Sequence, residues 1–597
     1  MLLVGCLSGI GYGSAQADDV LSERDVEPVV LTADETPRLL GVAPDEVVAF
    51  AWFEGWSKVP TGWFQVPVQV DERKMIDYRP ISQSDMDGPG LRGMAYADPH
   101  TWAEADGVPQ TATDLEDPGH GPAIPGTAGD PNLDGNDEIA MMAYEGGLPA
   151  GDRPAPEGTD PDSRTPVRFT DPLHPGEHAY IYLFRSNGSL AQDAGEQLVN
   201  YRRRFVPRLA GGYRFGYDFE GTSAKAGRGP ANREDSTVLS TRYDTRMPGR
   251  WMLDHLVIAA ARGSDVDLLD GDKLVAGENG CERTEKTFSR GAGGVIADVH
   301  GPVRAIRSAI DTGEAPFSQR DYLFYDGMLE TRTYLPRVEG PVISAMDLSR
   351  AAKGMTYRNS ENPDGVRIDG QPDELKPGSF GWEQFAGDQG SITNVTEAIG
   401  GAAGASQGSY YEDRAQPPAG SPMLCSGDRH AFGAAGPVFD LSQSAEGEDR
   451  FGFIRYSFFD GPEADAELGR LRARQVEEPV RAEVDAPEPA ILVVTARPSS
   501  VALAPGERRV VRLTVHNHGR RKAARVRVCS GKARSLRIRS RCRKAPRLGR
   551  GRAITRRIVI RAGRHAGRGT RRLWIRAAAP GARSYRNAIR VRIRRGA

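Results

Sequence analysis

The chain has 597 residues, including 70 glycines and 42 prolines, and is 39% hydrophobic. At roughly 150 residues per domain this is enough for several cores, and so many turn formers exclude a helix bundle or a coiled coil. Its 78 Lys+Arg and 80 Asp+Glu give a net charge of −2, yet residues 491–597 hold 33 basic residues against the single acid Glu507, so a +32 segment follows 490 residues that carry −34.

Residues 1–17 carry no charge and end Ala15-Gln16-Ala17 before two aspartates, which fits the apolar region and small-residue cleavage site of a signal peptide, although the basic start is missing. Cleavage there would leave Cys281, Cys425, Cys529 and Cys542, an even number suited to an oxidising compartment. Three pairings are possible, and the domain boundaries favour Cys281 with Cys425 and Cys529 with Cys542. Elsewhere no uncharged run approaches about 18 residues, so no membrane span is expected. The sequence predicts a secreted, extracellular protein, in one reading associated with the cell envelope.

In chain order, β-strands are expected at 47–53 and 64–70, with Pro67 marking the second as an edge. A long loop rich in Asp, Gly and Pro follows at 97–136. Further strands are expected at 178–184, 251–259, 295–300, 303–310, 321–325, 329–335, 342–348 and 451–459. The pair flanking Asp326-Gly327 has the signature of a hairpin. The fold class is therefore mainly β, a large antiparallel β-sandwich region. It divides into an N-terminal β-rich part at 18–200, carrying the long acidic loop, and a second β-sandwich part at 201–462. Residues 463–490 read as a partly helical, Pro-containing linker. Seven short strands then alternate valine or isoleucine with arginine through 491–597, the pattern of an immunoglobulin-like β-sandwich with guanidinium groups outward.

The segments VPVQVDER (66–73), DPNLDGNDEIAMMA (130–143), GPVRAIRS (301–308), TRTYL (331–335) and GMTYRN (354–359) resemble a family of large exported bacterial proteins without an established activity. That resemblance covers most of 27–460 and implies one coherent β-rich unit with no assigned catalytic residues. The paired strands around GPVRAIRS and DYLFYDGMLETRTYL are more distantly similar to the super-sandwich of mutarotase-like and polysaccharide-lyase proteins. APGERRVVRLTVHNHG (504–519) resembles bacterial Ig-like domains appended to surface proteins and glycan-active enzymes.

The strongest metal candidate is Asp130, Asn132 and Asp134 followed by Gly135, the first half of a calcium loop, with Asp137 or Glu138 supplying further oxygens. The glutamate expected at the twelfth position is replaced by Met141. Ca2+ is the one cofactor suggested, as an ordering ion for the long loop. His174-Pro175-Gly176-Glu177-His178 matches a zinc-peptidase pattern in letters only, since Pro-Gly breaks the helix that would align the two histidines; a turn entering a strand is expected instead. Gly404-Ala405-Ser406-Gln407-Gly408 lacks the helix a nucleophile elbow needs and reads as a flexible loop.

A sugar-processing enzyme would pair an arginine, to neutralise a uronate, with a tyrosine or histidine for proton transfer. Candidates are Arg304, Arg307, Tyr325, Arg332, Tyr357, Arg358, His255 and His300, with Trp382-Glu383 as a sugar platform. Their ordinary alternative is a set of strand-face and core-edge residues. The basic segment has only Trp574 and Tyr585 as aromatics, too few for base stacking, so no specific nucleic acid is expected. Its partners are an anionic cell-envelope polymer, an extracellular glycan, or the acidic body of the same chain. The leading expectation is a secreted glycan-binding surface protein, and the competing one a polysaccharide lyase.

Overall fold

The computed structural model describes most of residues 21–54, 61–77, 92–96, 132–206 and 233–594, apart from short internal segments such as 261–264, 312–316, 401–405, 441–449 and 486–489. The expected signal peptide, Asp130 and most of the 97–136 loop lie outside the described residues. Strands dominate, and almost all pair antiparallel.

Among the described residues the N-terminal part holds two small sheets besides the strand pair Arg73–Asp77 with Arg92–Tyr96. One is three-stranded, with Glu138–Met142 between Pro28–Thr32 and Gln69–Asp71. The other is five-stranded and runs Gly62–Val66, Val47–Phe53, His178–Arg185, Thr165–Thr170, Arg481–Val484. Residues 64–70 were expected as one edge strand. They are instead the end of one edge strand and the start of another, each in a different sheet, because Pro67 cannot donate to a ladder and the chain crosses between sheets there. Both sheets contribute to one core containing Leu31, Val47, Val66, Val68, Ile139, Val167 and Ile181.

The larger part is a nine-stranded sheet facing a five-stranded one. The nine-stranded sheet starts with the meander Gly293–His300, Arg304–Asp311, Ser318–Tyr325, Met328–Pro336 and continues through Arg450–Asp460 and Gly390–Gly400 to Glu383–Gly387, Thr356–Asn359 and Val366–Arg367. Its expected hairpin turns through Asp326-Gly327, with Tyr325 opposite Met328 and Gly327 at φ +90°, a conformation open to glycine. The five-stranded sheet centres on Pro341–Leu348 and Ala431–Asp440. Met346, Leu348 and Ala435 from it share a core with Leu323, Phe385, Ile392 and Phe459 from the nine-stranded sheet. Ser406, expected in a flexible loop, begins the strand Ser406–Arg414, and the following backbone is β, with no nucleophile elbow.

The segment 463–490 is more than a spacer. Asp465 caps the helix Ala466–Glu477 by accepting from the Glu467 and Leu468 backbone N–H groups. Arg472 pairs with Asp460 at 2.6 Å, and Arg24, fully buried, donates to the Gln475 and Glu478 carbonyls at the helix C-terminus. The following strand, Arg481–Val484, pairs with Thr165–Thr170 and completes the N-terminal sheet. The first and last parts of the body are thereby fastened together.

All seven strands expected in the basic segment are present, with three short additions at Ser500–Leu503, Cys542–Lys544 and Ala582–Ser584. They form two five-stranded sheets around one core that includes Leu492, Val494, Leu513 and Ile560 from one sheet and Leu503, Leu573, Ile575 and Val591 from the other. The disulfides Cys281–Cys425 and Cys529–Cys542 are both formed, the pairing that the domain boundaries favour. Among the described residues no helix is long and apolar enough to cross a membrane.

Gly436 lies where the strands Pro341–Leu348 and Ala431–Asp440 approach closely, and a Cβ there would sit 1.9 Å from the Ser344 carbonyl oxygen. Gly436→Ala should therefore cost about 1–3 kcal/mol or more through backbone displacement, read as a lowered urea midpoint for the body, whereas Gly461→Ala, with open space around it, should leave that midpoint unchanged.

Candidate functional site

The structure gathers three of the catalytic candidates, Arg304, Tyr325 and Arg332, around Glu138, which the sequence offered to a metal. Arg304 begins the strand Arg304–Asp311 and has no exposed surface. Its Nε donates to Asp71 at 2.8 Å, its two terminal nitrogens donate to Tyr325 at 2.7 Å and Glu138 at 2.6 Å, and its backbone N–H donates to the Gln69 side chain at 2.9 Å. Tyr96 donates to the same Glu138 carboxylate at 2.9 Å, and Arg73 holds the other oxygen at 2.7 Å. Arg332 pairs with Glu330 at 2.6 Å and also reaches the Tyr96 oxygen.

These groups have been brought together to be satisfied by one another. Tyr325 is completely buried, and burial pushes its hydroxyl above the ordinary phenol value despite the attraction of Arg304. A proton-abstracting tyrosine needs the opposite shift and a path for substrate. Asp71 is likewise held above its ordinary value by burial, partly offset by Arg304. Burial also disfavours the Glu138 carboxylate, but Arg304, Arg73 and Arg332 outweigh it and hold the group at about 2. The cluster is an internal fastening between the three-stranded and nine-stranded sheets.

The remaining enzyme candidates do not join it. His255 pairs with Asp267 at 2.7 Å, which raises its pKa, while His300 contacts Gln197 and is lowered by burial. Arg307, on a strand of the nine-stranded sheet, is buried and donates to Tyr201. Tyr357 and Glu383 are buried against each other, and Asn394 donates to Glu383, whose carboxyl burial pushes up to about 7. Trp382 packs on Gly469 of the helix and is only 3% exposed, so it offers no open platform.

The proposed oxygen set for calcium is divided. Asp137 accepts the Arg73 and Asp134 backbone N–H groups on its two carboxylate oxygens, and Asp134 accepts the Asn136 N–H. Asn132 is exposed, and Glu138 belongs to the arginines instead. Among the described residues, the side chains close enough to share an ion are Asp171, His174 and Glu177, whose ligand atoms lie within 4.8 Å of one another. Two of these come from the zinc-like pattern, which folds as the expected turn into the strand His178–Arg185. His178 faces Thr170 rather than joining His174, and Asp171 is already held by Arg24 at 2.7 Å.

Among the described residues, two open recesses offer surface to a ligand. One, of about 440 Å3, is lined by Phe50, Trp52, Trp63, Arg153, Glu157 and Leu190. Register places Trp52 opposite Trp63 on neighbouring strands, with ring centroids 5.3 Å apart, edge to face. The Trp63 indole N–H donates to the Pro154 carbonyl at 2.7 Å, and Arg153 lies 4.2 Å over the Trp52 ring while pairing with Glu54. The second recess, of about 400 Å3, is lined by Tyr410, Tyr411, Asp373, Glu412, Asp413 and Arg414. Its acids are spoken for: Glu412 accepts from Tyr410 and Ser421, and Asp413 from the Asp369 and Gly370 backbone. Neither recess was singled out from sequence. The available signal was the run of aromatics in VVAFAWF (47–53) and GWF (62–64), recognisable once the two strands are paired.

No family model matches the chain, and no curated protein matches it. Solved structures that are similar in part include an alpha-mannosidase from Enterococcus faecalis (10% identity, TM-score 0.36, covering 90% of this chain and 55% of that one). Others are a family 123 glycoside hydrolase from Clostridium perfringens (11% identity, TM-score 0.13, covering 16% and 22%) and a Salmonella alpha-2-macroglobulin mutant (9% identity, TM-score 0.17, covering 97% and 40%). The chain thus spans less than two thirds of each of these proteins, and the scores are too low to carry an argument about function.

Arg304→Ala would leave Asp71 buried without its cation and Glu138 paired with Arg73 alone, at an expected cost of about 3–5 kcal/mol, measurable as a fall in the thermal midpoint. Because the folded pKa of Glu138 lies below its unfolded value of about 4.3, its stabilisation is present above that pH and is lost as pH falls toward about 2. Acid unfolding curves of Glu138→Gln should therefore be flatter than those of the unaltered protein across that window, while the variant is less stable at pH 7.

Proposed function

We propose that the chain is an extracellular, surface-associated binding protein: its body takes a glycan in the recess of Phe50, Trp52 and Trp63, and its basic module holds it to an anionic polymer of the envelope. The observation that carries this reading is the recess itself. It combines the half-buried Trp63 ring, backed by Phe50 and Trp52, which are only 6% and 8% exposed, with the half-buried Arg153 and the exposed Glu157, which can address hydroxyl groups. An apolar wall with a few polar groups is the usual composition of a small-molecule site.

The two disulfides support an oxidising location. Retention by charge is supported by how little of the basic module is used internally. Among the described residues, the ion pair that crosses from the module to the body is Arg550 with Asp152, at 2.7 Å and with Arg550 63% exposed. The lyase alternative would require substrate to reach Arg304 and Tyr325, both of which have no exposed surface.

Affinity electrophoresis of the full chain through gels containing soluble xylan, mannan or β-glucan should show retardation by at least one of them. Trp63→Ala should weaken it about tenfold, equivalent to ~1.4 kcal/mol, and Glu157→Gln should weaken it without lowering the thermal midpoint. No retardation in any gel, or retardation indifferent to both substitutions, would overturn the recess as the glycan site.

A further inference from the structure

In the basic module one sheet runs Leu536–Ile538, Ala553–Ala562, Arg508–Asn517, Ala490–Arg497, Ala582–Ser584. Its register aligns arginines with arginines. Arg537 stands opposite Arg561, and Arg561 opposite Arg508; four residues further along the strand, Arg557 stands opposite Arg512, and Arg512 opposite Arg497. All six are exposed. The side-chain period of two puts both rows on the outer face of the sheet, with neighbouring strands about 4.8 Å apart and the rows about 13 Å apart.

Like charges directly opposite one another destabilise a sheet, and among the described residues of the module no acid relieves them. Its only acid, Glu507, pairs with Arg509 at 3.0 Å. Among the described residues, neither row has an acidic partner; the one side-chain bond in them is Arg561 to the Gly506 carbonyl. The choice of cation is as one-sided as the charge. Thirty of the 33 basic residues of 491–597 are arginine, whose planar fork grips carboxylate, sulfate or phosphate through two parallel hydrogen bonds where lysine offers a point charge. Between the rows lies an apolar strip, Val510 opposite Val559, with Val510 56% exposed.

We infer that this face is a binding surface for a linear acidic polysaccharide, whose carboxylate or sulfate groups engage the two arginine rows while the C–H faces of its sugar rings cross the Val510–Val559 strip. The inference rests on the retention half of the proposed function and names its ligand. A flat sheet face cannot enter a nucleic-acid groove as a helix or a protruding ribbon does, and this face carries no Trp, Tyr or Phe on its described strands for bases to stack on. Among the described residues, its exposed apolar surface is the small Val510–Val559 strip, without exposed Trp, Phe or Leu side chains of the kind that enter a lipid surface.

The test compares the full chain with two triple variants of equal charge loss. The first, Arg497→Gln/Arg512→Gln/Arg557→Gln, removes one row; the second, Arg572→Gln/Arg590→Gln/Arg592→Gln, removes three exposed arginines from the other sheet. Binding is measured against polygalacturonate and dextran sulfate over a salt series, with neutral dextran, duplex DNA and phosphatidylglycerol vesicles as further arms. The row variant should lose at least tenfold more affinity for an acidic polysaccharide than the control triple does, and its log–log salt slope should fall by about two to three. Its thermal midpoint should not drop, because facing like charges have been removed. Equal losses in both variants, tighter binding to DNA or vesicles than to either polysaccharide, or no binding would overturn the inference. Trp63→Ala serves to separate the two readings: it should leave acidic-polysaccharide binding intact, so failure of the recess and failure of the arginine rows appear in different experiments.

Discussion

The docking of the three-stranded sheet on the nine-stranded one depends on a buried cation. Arg304 has no exposed surface, and each of its donor groups is satisfied by a different segment: Asp71 from one short strand, Glu138 from another, Tyr325 from the neighbouring strand of the meander. A guanidinium removed from water is tolerable only when its partners are correctly placed, because an unpaired buried charge costs far more than the pair returns. The three-stranded sheet can therefore dock on the nine-stranded one in a single register. Gln69 extends the same constraint by accepting the Val303 and Arg304 backbone N–H groups across that junction.

Arg24 does comparable work at the other seam. It joins Asp171 and Glu27 to the end of the helix Ala466–Glu477, so residues separated by about 450 positions are held together before the chain leaves the body. Within the body, then, arginine is an internal fastener matched to acids. In the C-terminal module the same side chain is turned outward and left largely without acidic partners. The opposite charges of the two regions reflect different uses of arginine more than attraction between them.

Much of the β architecture was legible. Period-two alternation located the seven principal strands of the C-terminal module, Asp326-Gly327 located a hairpin, and Pro-Gly correctly set aside a helical zinc motif. The candidate sites were less so. The arginines of the run Arg304–Asp311 read as exposed strand-face residues, since alternation implies one face in water, although a separation of three puts Arg304 and Arg307 on opposite faces. Every residue of that strand is buried, because further layers cover both faces, and charged side chains there answer one another. Glu138 looked like an oxygen donor for a cation and found its cations in Arg73 and Arg304. The Trp52–Trp63 recess was missed since its two rings meet only across a strand pair.

Composition and order along the chain by themselves determined the mainly β class, the placement of most strands, and the net positive charge of the last 107 residues against a net negative remainder. These are local properties, set by the side-chain period, by turn chemistry and by counting. The outward arginines of the C-terminal module already follow from its period of two; tertiary structure alone decided that the arginines of the body are fasteners, because that depends on what lies across the sheet. Packing of one sheet on another buries Arg304 among acids in the body, whereas strand register in the C-terminal module sets Arg497, Arg512 and Arg557 side by side in the open.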